Sequence, residues 1–123
     1  MTMNETLKGT ETSKRRDLTG PSDFELREAE RMRSKVAVYD AIAEWREAHV
    51  ESRHYYSEQV RRLVATLVTP GSRVLEVGCG LADLLAAVGG EGSVGIDVSP
   101  RMVELARKRH PKLDLRVTDV ERD

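Results

Sequence analysis

Long apolar runs are missing from this chain, and so is any excess of charge. None of its 123 residues lie in a stretch that approaches the about 20 apolar positions needed to span a bilayer, and the N-terminus lacks the apolar core of a signal peptide. Lys and Arg total 20 against 21 Asp and Glu, and a net charge of -1 provides no field to draw nucleic acid or an anionic membrane. The single cysteine, Cys79, excludes an internal disulfide framework and points to a reducing cytoplasm. Internal repeats and low-complexity segments are also absent. What remains is a highly charged chain, 33% charged and 39% hydrophobic, long enough for one small domain with a modest core.

The centre of the sequence is Val74-Leu75-Glu76-Val77-Gly78-Cys79-Gly80-Leu81-Ala82-Asp83, an apolar strand running into a glycine turn. A parallel strand buried on both faces reads as a short continuous apolar run, and Arg73 to Val77 does so except at Glu76. Desolvating a carboxylate costs several kcal/mol unless a donor or cation meets it. Glu76, at the strand's carboxyl end, therefore points to a polar ligand nearby. Gly78 and Gly80 permit positive φ and close backbone approach, and Asp83 to Val88 start a helix whose free N-terminal amides face the same crevice. Cys79 has no histidine near it in sequence to activate it as a nucleophile and reads as a small turn residue.

Gly89-Gly90-Glu91-Gly92 breaks that helix and leads to a second strand, Ser93 to Asp97, so that strand, helix and strand form a right-handed βαβ unit. Ser99 caps a further helix and Pro100 opens it. Met102, Val103 and Ala106 form its buried side, the Arg107-Lys108-Arg109 run suits its C-terminal end, and His110-Pro111 stops it. Leu113, Leu115 and Val117 then alternate with Asp114, Arg116 and Thr118, the pattern of an edge strand with one exposed face.

Glu76-Val-Gly78-Cys79-Gly80 followed by Asp83 resembles the first motif of class I S-adenosylmethionine-dependent methyltransferases. Val94 to Pro100 resembles that family's second strand with its ribose-binding acid at Asp97, and Leu113 to Val120 its third strand with the adenine-side acid at Asp119. The likeness runs in register over about residues 60 to 123. It implies an α/β fold, a partial Rossmann-like three-layer sandwich. Three parallel strands in the order 3-2-1, at about 73–77, 93–97 and 113–118, are flanked by helices and preceded by an N-terminal helical extension. S-adenosyl-L-methionine is the implied cofactor and no metal is implied. Glu76 would lie near its methionine end, with the turn of Gly78, Cys79 and Gly80 passing close by and Asp83 completing the motif. Asp97 would accept from both ribose hydroxyls and Asp119 from the adenine amino group, with Val98 and Val120 flanking the ring. The family usually carries a small polar residue and a glycine where this chain has Leu81 and Ala82. A helical φ at Ala82 and a narrower space beside the cofactor's amino-acid end are the expected consequences.

Upstream, residues 1–21 are polar, include Lys14-Arg15-Arg16 and lack an apolar period, as a disordered tail does. Ser22-Asp23-Phe24-Glu25 has capping-box spacing, and a helix over 22–50 follows, its apolar stripe running through Leu26, Ala29, Met32, Val36, Tyr39, Ile42 and Ala43 with Trp45 as an anchor. Ser52 is placed to cap a second helix, Arg53 to Val68, that should lie on the sheet; its start, Arg53-His54-Tyr55-Tyr56, reads either as ordinary amphipathic packing or, as the resemblance implies, with Tyr56 contributing to the cofactor pocket. Residues 51–123 are then an incomplete methyltransferase domain, because a βαβ unit takes roughly 30 residues and a seven-stranded sheet needs on the order of 100 more.

In that family the acceptor-binding and catalytic residues come mainly from the fourth strand and later loops, so catalytic residues and methyl acceptor are unassigned and whether the chain alone is an enzyme stays open. Two further readings stand beside it. One is an NAD-type dinucleotide-binding half, against which Asp83 falls where the third glycine belongs and Glu76 where an apolar residue does. The other is a non-catalytic remnant or association module that pairs through its N-terminal helix or the open edge of the first strand.

Overall fold

The computed structural model describes residues 20–122, so the expected tail lies outside the described residues except for Gly20 and Pro21. Helix α1 spans Asp23–Ala48 and opens on the expected capping box: Ser22 Oγ accepts from the Glu25 amide at 3.2 Å, and Glu25 Oε2 accepts from the Ser22 amide at 2.7 Å. Its 26 residues extend about 39 Å, and the only residue fully buried along it is Ala43, near the C-terminal end. Trp45 is not the anchor expected of it. Two positions beyond Ala43 it lies about 200° around the helix, so it is 54% exposed and stacks on His49 with ring centroids 4.5 Å apart.

Two further corrections follow downstream. Ser52 does not cap the second helix, because a single 3-10 turn, Glu51–Arg53, carries the chain onward and Ser52 Oγ donates instead to the His49 carbonyl at 2.9 Å. Helix α2, His54–Leu67, packs against α3 rather than on the sheet. The reason is topological: the right-handed crossovers put α3 and α4 on that sheet face before α2 can reach it.

Strands β1 (Leu75–Val77), β2 (Val94–Asp97) and β3 (Asp114–Val117) form one parallel sheet in the order β1-β2-β3, the expected 3-2-1 arrangement. Helices α3, Asp83–Val88, and α4, Pro100–Arg109, connect them. In register, Glu76 stands beside Gly95 and Gly95 beside Leu115, all on the face that meets the helices. A Cβ on Gly95 would lie 2.7 Å from Leu115 Cδ2 and 3.0 Å from both Cys79 Sγ and Leu85 Cδ2, so the glycine is what lets these three side chains close over β2.

Alternation makes two small cores. Cys79, Ala82, Leu85, Val103, Ala106 and Leu115 fill the space between sheet and helices. Ala43, Leu81, Met102 and Leu105 join α1 to the other side of α4. Polar contacts fix the same joint: Asp40 Oδ1 accepts from Ser99 Oγ and from the Arg101 amide at 3.2 Å, and Glu44 pairs with the Arg101 guanidinium. On the opposite face of β1, Leu75 and Val77 are 63% and 58% exposed.

Candidate functional site

Parallel strands deliver their carboxyl ends to one side of the sheet, and ligands of open α/β sheets bind there. Here β1 leaves the sheet at Gly78, with φ +72, and the turn continues through Gly80, with φ +54. The Gly78 and Cys79 amides donate to the Ile96 carbonyl at 2.8 and 3.0 Å, which folds the turn back over β2. The Gly80 amide donates to Asp97 Oδ2 at 3.0 Å, and the Ser99 amide to Asp97 Oδ1 at 2.9 Å. Asp97 therefore locks the loop to the end of β2 while each oxygen keeps a second lone pair for a ligand.

Ala82 is in the left-handed region, φ +60 and ψ +21, not at the helical φ expected of it. The loop needs a left-handed residue immediately before α3, and alanine occupies that conformation at a cost of about 1–2 kcal/mol. Nor do the side chains at 81 and 82 obstruct the crevice. Leu81 is 9% exposed and packs on Ala43, Met102 and Leu105, whereas Ala82 is wholly buried in the inner core. The substituents that looked like obstacles serve as packing.

Alanine also cannot cap α3, whose N-cap has no side-chain hydrogen bond. Glu76 takes over that role from the neighbouring strand, its Oε2 accepting from the Leu85 amide at 3.1 Å. The donor that answers the odd carboxylate in β1 is thus a helix amide. Burial pushes the Glu76 carboxyl up to about 7, a rise that the Leu85 hydrogen bond opposes and the charges of Asp83 and Asp97 reinforce. Burial also pushes the Cys79 thiol up to about 12, with Asp97 and Glu76 adding to the effect, so it stays protonated and unreactive at neutral pH, in keeping with a turn residue.

Two clefts flank the turn. The larger, about 330 Å³, is lined by Tyr39, Gly78, Ile96, Asp97, Val98 and Val120 among others. The smaller, about 170 Å³, runs along Gly78 to Leu84 and is walled by Arg46, Arg53 and Ser57. Gly78 and Arg46 line both. Together the clefts fall within the volume range of small-molecule sites. Val98, Val120, Gly78 and Asp97 meet around the larger one, and Cys79, Gly80 and Asp83 around the smaller.

Other contacts hold Asp83, Asp119 and Tyr56 in place. Asp83 is held by Arg109 at 3.1 Å and His110 Nε2 at 2.6 Å, a tie between the start of α3 and the end of α4. Asp119 follows β3 in a turn where its Oδ1 accepts from the Glu121 amide at 3.1 Å, and its neighbours Thr118 and Val120 are the ones that line the larger cleft. Tyr56, 64% exposed, lines a neighbouring hollow with His54 and Arg109 that shares Ser57, Asp83 and Leu84 with the smaller cleft and does not include Asp97. Arg46 escaped the sequence reading, although it stands seven positions after Tyr39 and three after Ala43, which continues the same helical face.

The family model described as "Methyltransferase domain" matches residues 74–123, the interval that contains the loop, Asp97 and β3. Over residues 74–123 the chain is thus similar to a methyltransferase domain. A chain of the complex between the Haloferax volcanii Trm112 methyltransferase activator and a methyltransferase superposes with a TM-score of 0.53 at 30% identity, covering 66% of this chain and 38% of that one. A TehB-like SAM-dependent methyltransferase from Corynebacterium glutamicum, 22% identical, gives 0.46 over 63% of this chain and 48% of its own. The protein numbered 1320 of Thermoplasma acidophilum, 17% identical, gives 0.44 over 71% and 47%. No curated protein matches the chain. The chain thus spans less than half the length of these solved structures. Among the described residues no helix is long and apolar enough to cross a membrane, and no cluster of three or more His, Cys, Asp or Glu is arranged to hold a metal.

Proposed function

We propose that this chain is the cofactor-binding half of an S-adenosylmethionine-dependent methyltransferase and that it works in the cytoplasm. The observation that carries the reading is Asp97, fixed by the Gly80 and Ser99 amides in the wall of the larger cleft, with a lone pair left on each oxygen. The donor set suits the cofactor: a carboxylate for the ribose hydroxyls, Val98, Val120 and Ile96 as apolar walls for a base, and a glycine turn that admits close backbone approach. When bound, the cofactor supplies a sulfonium that already carries its leaving group, and the protein's part is to hold it in line with an acceptor. Asp97 would bind and orient the ribose, and Glu76, by capping α3, would keep the loop in shape beneath it. The acceptor stays unassigned, since the chain covers 38% of the Haloferax methyltransferase chain it resembles.

The test is equilibrium binding of S-adenosylhomocysteine, with NAD as control, to the wild-type chain and to Asp97→Asn. Saturable binding of the first ligand alone, weakened about tenfold or more in the variant, is the expected result, because a charged acceptor of a ligand hydroxyl contributes on the order of 1.5–3 kcal/mol. Binding of NAD in preference would move the assignment to a dinucleotide-binding half. A folded chain that binds neither would leave the association-module reading in its place.

A further inference from the structure

Parallel sheets are buried on both faces. Here α3 and α4 cover one face, and among the described residues no helix packs across the other. On that bare face Leu75 stands beside Val94 and Val77 beside Ile96. Leu75 and Val77 are exposed, and a hollow of about 500 Å³ opens over Leu75, Val94 and Ile96, with Arg73 and Arg116 in its walls. A second apolar surface lies on α2. Tyr56, Leu63 and Leu67 recur at steps of seven and four on one side of the helix and are 64%, 64% and 77% exposed. Val60, half-buried, shares a hollow with Leu84 of α3 instead. We infer that the two surfaces complete each other in a two-fold dimer, in which α2 of each copy roofs the bare β1–β2 face of its partner.

Spacing and symmetry fix the arrangement. Helix α3 lies over β1 and β2, since its Leu85 amide donates to Glu76 and its Leu85 Cδ2 is 3.0 Å from where a Cβ on Gly95 would stand. Helix α4 packs on β2 and β3, and α2 on α3, so the helix row α4-α3-α2 follows the strand row β3-β2-β1. Packed helices stand about 8–10 Å apart and neighbouring strands about 4.8 Å, so α2 overhangs the open edge of β1 by one to two strand widths. A two-fold axis along the strands, between the two β1 edges, sends the helix layers to opposite faces and brings the partner's bare face under that overhang. A two-fold perpendicular to the sheet would instead drive each α2 into the space of the partner's α3. Gln59 and Thr66 border the α2 stripe on the side away from Val60, so no charge is desolvated there. At roughly 100 Å² apiece, the three α2 residues with Leu75 and Val77 supply about 500 Å² of apolar area per copy. That matches a standard interface, which takes about 800 Å² from each partner and in homodimers is about 65% apolar.

Sedimentation velocity of the full chain over a dilution series should show a reversible dimer. Leu63→Asp and Leu75→Lys should each weaken it by at least about thirtyfold, the loss expected at the centre of an interface. Both positions are exposed, so each variant should keep the circular dichroism of the wild type. Phe24→Asp, at an equally exposed site on α1, should leave the dimer unchanged. Mixing the first two variants reads the geometry. One contact of the mixed dimer then joins the new carboxylate to the new ammonium while the other keeps Leu63 on the partner's Leu75, so the dimer should return. A wild type that stays monomeric, a dimer indifferent to Leu63→Asp, or folded variants that fail to restore one another would each overturn the arrangement.

Discussion

Replacing Glu76 with glutamine should make the free protein more stable above neutral pH and leave it unchanged in acid. The carboxyl titrates at about 7 in the fold against an ordinary value of 4.5, chiefly because it is half-buried beneath the loop. Between those two values the native state holds more protons than the unfolded chain, so the free energy of unfolding falls as pH rises. The favourable contribution is complete below about 4.5 and gone once pH has passed 7. A difference of 2.5 units corresponds to at most about 3.4 kcal/mol. Solvent reaches part of the group, and screening reduces this to about 1–2 kcal/mol. Glutamine keeps an acceptor for the Leu85 amide without the charge, so it mimics the protonated acid. Denaturant unfolding of both proteins from pH 5 to pH 8.5 should therefore give curves that coincide in acid and separate by about 1–2 kcal/mol above pH 7.5, the variant being the more stable. Taking the difference between the two proteins cancels every other titrating group. A wild type that gains stability on the variant as pH rises would refute the reasoning, because it would mean that the ionised carboxylate is well solvated or well paired.

Other outcomes follow from the same geometry. Ala82→Gly should change stability by no more than about 1 kcal/mol, since relief of the left-handed conformation is offset by the lost methyl and the looser unfolded chain, whereas Ala82→Val should cost about 2 kcal/mol or more. Equal stabilities of the valine and alanine proteins in urea would show that the loop does not need φ +60. Gly95→Ala should destabilise by about 1–3 kcal/mol, because its Cβ would lie 2.7 Å from Leu115 Cδ2, and an unaltered melting temperature would contradict the packing described for β2. The open edge of β1, with Leu75 and Val77 exposed, should make the chain associate, and Leu75→Lys should shift it towards monomer in sedimentation velocity. A monodisperse wild-type monomer with a sharp thermal transition would count against that edge.

Much of the fold was legible because each signal was local and redundant. The capping box at Ser22 and Glu25, the serine and proline that open α4, and the glycine pairs around β2 each set a boundary by backbone chemistry alone. Strand order followed from the motif sequence, with β3 at one edge. What escaped was decided by tertiary competition. The amphipathic face of α2 could show that it packs but not on what, and α3 proved to be its partner. Trp45 read as an anchor because it is large and close in sequence to the stripe, although the helical angle from Ala43 turns it to solvent. At the site, the strand-end position of Asp97 and the glycines could be read from spacing, and the structure places them together. The tie of Asp97 to the Gly80 amide, the capping of α3 by Glu76 and the reach of Arg46 over Gly80 depend on contacts between residues 9 to 34 positions apart, and no local pattern encodes those.

A titration of the ¹⁵N-labelled protein with S-adenosylhomocysteine, followed amide by amide, would show whether a cofactor occupies the crest of the glycine turn between Asp97 and α1. Saturable shifts are expected at Gly78, Gly80, Val98 and Ser99, with Arg46 Nε–H moving in parallel and the exposed half of α2 unaffected. Shifts clustered around Tyr56 and His54 instead, or a spectrum unchanged at saturating ligand, would contradict it.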